Sequence, residues 1–210
     1  MKNIIPRLTF YIGRFAFAAL ARSLQHEKNP EKQAYKAKQL LNYAKQEGFG
    51  HFSCSALENY YGKIGSMNPV PLAEALPETC LIVFTLSYFT GGHTRVAERW
   101  IETDTHHRYS VAFTAPQNGL EIPERLKNAV AQSGGELLFV NGENALETGL
   151  NLRRIASKFE SVVLFTHMGD PTAIIAFASS DFKRPVGFYN HADHRFWLGV
   201  SISDIIGELH

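Results

Sequence analysis

The chain predicts an α/β fold, a Rossmann-like, doubly wound and mostly parallel sheet with an N-terminal helical segment, and three observations carry that expectation. From Cys80 onward, short runs rich in β-branched and aromatic residues alternate with helix-compatible stretches, the pattern of successive βαβ units. The first 78 residues differ in texture, being rich in Ala, Leu, Lys and Gln. Pro69, Pro71 and Pro77 separate the two textures, because proline removes a helix donor and favours extended backbone.

In order along the chain, residues 7–26 and 31–47 are expected to be helices, divided by Asn29-Pro30. Ala34, Ala37, Leu40, Leu41 and Ala44 form one apolar face of the second, with Lys32, Lys36, Lys38 and Lys45 outside it, and Gly48-Phe49-Gly50 supplies the stop. The basic side could meet lipid or another subunit, but a solvated face opposite a packed one is the commoner explanation. A boundary near Pro77 divides the chain into 1–78 and 79–210. Strands are expected at 81–86, 109–114, 136–140, 161–166, 186–190 and 198–203, with helices at 94–102, 123–132, 144–158 and 171–179 between them. A doubly wound sheet of this kind places ligands at the carboxyl ends of its strands.

Composition limits the function classes. With 21 basic and 20 acidic side chains the net charge is +1, so no global field draws the molecule to nucleic acid, and specificity must be local. Cys54 and Cys80 stand among apolar or small residues without a Cys-x-x-Cys spacing, so a disulfide framework is not expected. No signal peptide is evident, and residues 8–24 are too short and too charged at their flanks for a membrane span. A cytoplasmic protein is expected.

At the strand ends, Gly91-Gly92-His93-Thr94-Arg95 forms a glycine-rich turn opening a helix, where backbone N–H groups favour an anion or a sugar hydroxyl. Neither G-x-G-x-x-G nor a P-loop pattern is present, which disfavours a dinucleotide or nucleoside-triphosphate site. The fourth strand runs into Thr166-His167-Met168-Gly169-Asp170-Pro171. Asp170 reads as a helix N-cap ahead of Pro171, whereas His167, at the strand's last residues, has no such structural duty. The fifth strand ends in Asn190-His191-Ala192-Asp193-His194-Arg195-Phe196-Trp197, the densest run of ionisable groups in the chain. Aromatic rings beside imidazole and carboxylate groups suit a sugar.

Gly91-Gly92-His93-Thr94-Arg95 together with the string from Pro185 to Gly199 and Ser203-Asp204 resembles the N-terminal half of bacterial GT-B-type glycosyltransferases. The likeness runs from about Cys80 onward. It implies two Rossmann-like domains facing a cleft, the N-terminal one holding a sugar or glycan acceptor and a further C-terminal domain holding the nucleotide-sugar donor, with no cofactor or metal. On this resemblance Gly91 and Gly92 border the donor phosphates. His93, Asp193 and His194 are the candidate catalytic residues: in an inverting enzyme an imidazole acts as base with Asp193 orienting it, whereas in a retaining enzyme the same residues only bind and position the sugars, and the sequence does not choose between the two. Gly91, Gly92, Thr94, Arg95, His167, Asp170, Asn190, His191 and Trp197 are candidate sugar contacts. With no second domain present in these 210 residues, the chain alone is expected not to turn over.

Two rivals stand beside this. His191, Asp193 and His194 with His167 and Asp170 offer imidazole and carboxylate ligands for zinc or manganese in a hydrolase, although no H-E-x-x-H spacing occurs. Alternatively, the α/β part only binds a ligand while the N-terminal helices mediate assembly, since doubly wound sheets serve binding proteins and enzymes alike.

Overall fold

A computed structural model describes residues 4–46, 50–90, 92–190 and 195–208. Three helices come first, α1 (Ile4–His26), α2 (Pro30–Ala44) and α3 (Ser55–Ser66). They are followed by β1 (Leu76–Phe84), α4 (Gly92–Thr103), β2 (Arg108–Phe113), α5 (Glu124–Gln132), β3 (Leu137–Phe139), α6 (Ala145–Ala156), β4 (Phe159–Phe165), α7 (Thr172–Phe177), β5 (Val186–Asn190), a 3-10 turn at Val200–Ile202 and β6 (Ile205–Glu208). The six strands form one sheet in the order β3-β2-β1-β4-β5-β6, and every neighbouring pair is parallel. The predicted α/β, Rossmann-like architecture is therefore present.

Period-two alternation distributes each strand between two apolar layers. On one face Leu81 and Val83 of β1 and Leu164 of β4 pack against Leu152 and Ala156 of α6 and Ala173, Ala176 and Phe177 of α7. On the other, Ile82, Phe84 and Phe165 meet Ala97 and Ile101 of α4 and Leu126, Ala129 and Val130 of α5. A third cluster joins Phe17 and Leu24 of α1, Leu40 and Leu41 of α2 and Leu57 of α3 to Ile174 of α7, Phe196 and Leu198. The N-terminal helices thus form an outer layer seated on α7.

Two buried charged residues pin that layer. Arg153 of α6 has no solvent exposure. Its guanidinium donates to the carbonyls of Ile175 (2.6 Å) and Ala176 (2.5 Å) in α7, of Gly65 (2.9 Å) in α3 and of Asn68 (3.2 Å) beyond it. The last-turn carbonyls of a helix lack intrahelical donors and carry the negative end of its dipole, so one cation satisfies both helix ends. Gly65 permits the approach, because a Cβ there would lie 2.1 Å from the Ile175 carbonyl oxygen. Glu58 of α3, also buried, accepts from the backbone N–H of Gly199 (2.8 Å) and Ser201 (3.2 Å) and from the Ser201 hydroxyl.

The structure revises several expectations. The sixth strand is at Ile205–Glu208 rather than 198–203. The N–H groups of Trp197 and Leu198 are taken by the carbonyls of Phe52 and Met168, Gly199 turns at φ 126°, and Glu58 caps the tight turn that follows. Pairing resumes only after Asp204, whose carboxylate and N–H clasp both backbone groups of Val186 at 2.8 Å. β1 begins at Leu76, so Pro77 lies inside a strand, within the irregularity in register between Leu76 and Cys80. Helix α3 was not among the expected helices. In α2, Ala37, Leu40, Leu41 and Ala44 are buried as anticipated but Ala34 is exposed.

Replacing Arg153 by Met leaves the buried carbonyls of Gly65, Ile175 and Ala176, and the half-buried one of Asn68, without this donor and should destabilise the protein by about 3–5 kcal/mol. Urea unfolding checks this; a loss below about 1 kcal/mol would show that water satisfies those groups.

Candidate functional site at the ends of β1 and β4

In the order β3-β2-β1-β4-β5-β6 the chain leaves β1 toward one sheet edge and returns to β4 for the other. The connection after β1 enters α4 on one face and that after β4 enters α7 on the opposite face. Such a switch point, where the loops after β1 and β4 diverge, is where doubly wound sheets bind ligands in a crevice.

Asp170 organises the floor. One carboxylate oxygen accepts from the hydroxyls of Thr85 (2.6 Å), just past β1, and Thr114 (2.9 Å), just past β2. The other accepts from the N–H of Thr172 at 2.9 Å, the capping role its sequence position suggests. Thr85 in turn accepts the N–H of His167 at 2.9 Å, so the ends of three strands are tied through two hydroxyls and one carboxylate.

Three rings stand above this floor. The His167 imidazole stacks on Tyr88, centroids 5.7 Å apart and planes 13° from parallel. Buried His93 stands edge-on to both, 5.8 Å from Tyr88 and 6.5 Å from His167, and its Nε2 lies 3.5 Å from the Leu86 carbonyl. Beside them Phe89 is 80% exposed. The Thr94 hydroxyl accepts the Tyr88 N–H at 3.2 Å and closes the turn, while Gly92 opens α4 with free space where a side chain would stand.

No described residue hydrogen-bonds the His167 ring nitrogens. Burial holds its pKa below the ordinary 6.5, and nearby Lys45 pushes it the same way against the opposing pull of Asp170. Lys45, the C-cap of α2, reaches this site from the outer helical layer. Its stem crosses Gly169 so closely that a Cβ on that glycine would lie 1.9 Å from the lysine Cε. The crevice therefore combines a neutral, accessible imidazole, aromatic rings, a flexible cation and a carboxylate held by hydroxyls, a set able to accept a proton from a hydroxyl while gripping a polyol.

Of the sequence candidates, His93, Thr94, His167 and Asp170 converge here with Gly92. Arg95 points along α4 into an ion pair with Glu98 at 2.7 Å. Asn190 is buried at the end of β5. The Trp197 ring is buried against Phe188, centroids 4.4 Å apart, as part of the core. Gly91, His191, Asp193 and His194 lie outside the described residues. Among the described residues no group of three His, Cys, Asp or Glu side chains is placed to hold a metal. Thr85, Thr114, Tyr88, Phe89 and Lys45 were missed by the sequence reading; hydroxyls just past two strands were the available signal for the threonines.

No protein-family model matches the chain, and no curated protein matches it. Among the described residues no helix is long and apolar enough to cross a membrane.

Because the folded value of His167 is depressed, its effect on stability is absent well above 6.5 and grows as pH falls below that value, where the unfolded chain binds the proton more readily. Replacing His167 with Gln should flatten this acid limb. Lys45→Ala should raise the imidazole pKa, and Gly169→Ala should do so too by displacing the lysine, with little loss of stability because only the end of a flexible side chain must move. Histidine titration by NMR checks both; an unchanged or lowered value would contradict the placement of Lys45.

Proposed function

We propose that this α/β domain is the acceptor-binding half of a two-domain, GT-B-type glycosyltransferase, with the crevice between β1 and β4 as its reaction face. The observation that supports it most is His167: an imidazole kept neutral, with ring nitrogens unbonded by described residues, stacked on Tyr88. In this reading the apolar face of a sugar lies against Tyr88 and Phe89, and His167 takes the proton of the attacking hydroxyl. The hydroxyl oxygen then bonds to the anomeric carbon of the nucleotide sugar as its bond to the nucleotide phosphate breaks. The donor sits on a second domain facing the crevice, and Lys45 offsets the developing phosphate charge.

Asp170 holds the loop that carries His167, since its backbone N–H donates to the His167 carbonyl at 3.0 Å. The sequence-based assignment of catalysis to His93, Asp193 and His194 is part of the same proposal, with His167 now sharing the role of base. Cys54 and Cys80 are buried free thiols, which suits a reducing, cytoplasmic setting.

Saturation-transfer NMR against a panel of hexoses, hexosamines and their short oligomers tests this reading. A subset should receive saturation from the protein, and Tyr88→Ala with Phe89→Ala should abolish it. His167→Gln should leave binding within about threefold, since a base contributes to turnover more than to ground-state affinity. A panel without any binder, or binding indifferent to the two aromatics, would remove the sugar-acceptor assignment.

A further inference from the structure

Helix α1 packs on the core through Gly13, Phe17 and Leu24, residues spaced to share one helical face. Its opposite face should be polar if water were its environment. Instead Tyr11 is 65%, Ile12 59% and Phe15 76% exposed. At 1.5 Å per residue these side chains and the exposed Arg22 further along extend over about 16 Å of one helix surface. Such an unpaired aromatic and aliphatic group is rare on a protein surface without a partner.

The charge around it indicates the partner. Residues 1–26 contain Lys2, Arg7, Arg14 and Arg22 and not one Asp or Glu. Arg14 lies over the Phe10 ring, 5.6 Å from its centroid, and neither Arg14 nor Arg22 forms an ion pair with a described carboxylate. A second copy meeting α1 against α1 would oppose arginine to arginine over the same apolar residues. An anionic lipid surface would accept both features at once, phosphates meeting the arginines while the rings enter the headgroup boundary. A local basic patch suffices for this, although the whole chain carries only +1.

We propose that the outer face of α1 docks this protein on an anionic bilayer surface, the helix lying in the interface without crossing it. The proposal does not depend on the glycosyltransferase reading. Sedimentation of the full chain with vesicles of phosphatidylcholine alone, or mixed with phosphatidylglycerol, tests it. Binding should require the anionic lipid and weaken with salt. The combined Tyr11→Ser, Ile12→Ser and Phe15→Ser variant and the paired Arg14→Gln and Arg22→Gln variant should each lower partitioning at least about tenfold. A Phe15→Trp variant supplies a readout that does not need the triple variant to fold, its emission shifting blue with anionic but not neutral vesicles. Absence of wild-type binding, binding unaffected by these substitutions, or a dimer in solution that the triple variant dissociates without any vesicle binding would overturn the proposal.

Discussion

A single buried guanidinium holds together parts of the chain that the sequence separates widely. Arg153 belongs to the sheet's own helix α6, yet its hydrogen bonds go to α7 and to the end of α3. Burying a cation is costly unless its donors are satisfied, and the compensation here is two helix ends whose carbonyls need donors. Glu58 repeats the device with opposite sign, a buried carboxylate meeting N–H groups at the start of the tight turn before β6. α3 is therefore clamped at both polarities, and the apolar contacts of α1 and α2 follow from its position.

This clamp reaches the crevice. α2 packs in the outer layer, and its last turn delivers Lys45 across Gly169 beside His167. The helical segment so contributes a charge to a site otherwise built from strand ends, and it helps keep the imidazole neutral. Meanwhile the Asp170 carboxylate fixes the relative heights of the loops after β1, β2 and β4 through Thr85 and Thr114. The site's rigidity comes from the sheet; its cation comes from the layer outside.

Much of the fold was legible because the central strands β1, β2, β4 and β5 carry runs of buried residues and read as apolar stretches, with β5 recovered at its observed bounds. The failures have physical causes. α3 contains Gly62 and Gly65, poor helix formers retained where α7 comes close. β6 is short and exposed at Ile205 and Ile206, while the apolar run at Trp197 and Leu198 is buried in the core without being a strand. At the site, reading only strand ends was enough to find His93, His167 and Asp170. Lys45 could not be found that way, since its partner lies more than a hundred residues later and nothing local marks the encounter.

Arg153 and Glu58 should make the N-terminal helices and the sheet one cooperative unit. Native-state hydrogen exchange measures this directly. Amides of α3 in contact with α7 should exchange only through the same global opening as those of β1 and β4, with matching free energies and matching denaturant dependence. Exchange of α2 and α3 through a separate, lower-energy opening that leaves β1 and β4 protected would contradict it, and would make the outer layer an accessory rather than a foundation of the crevice.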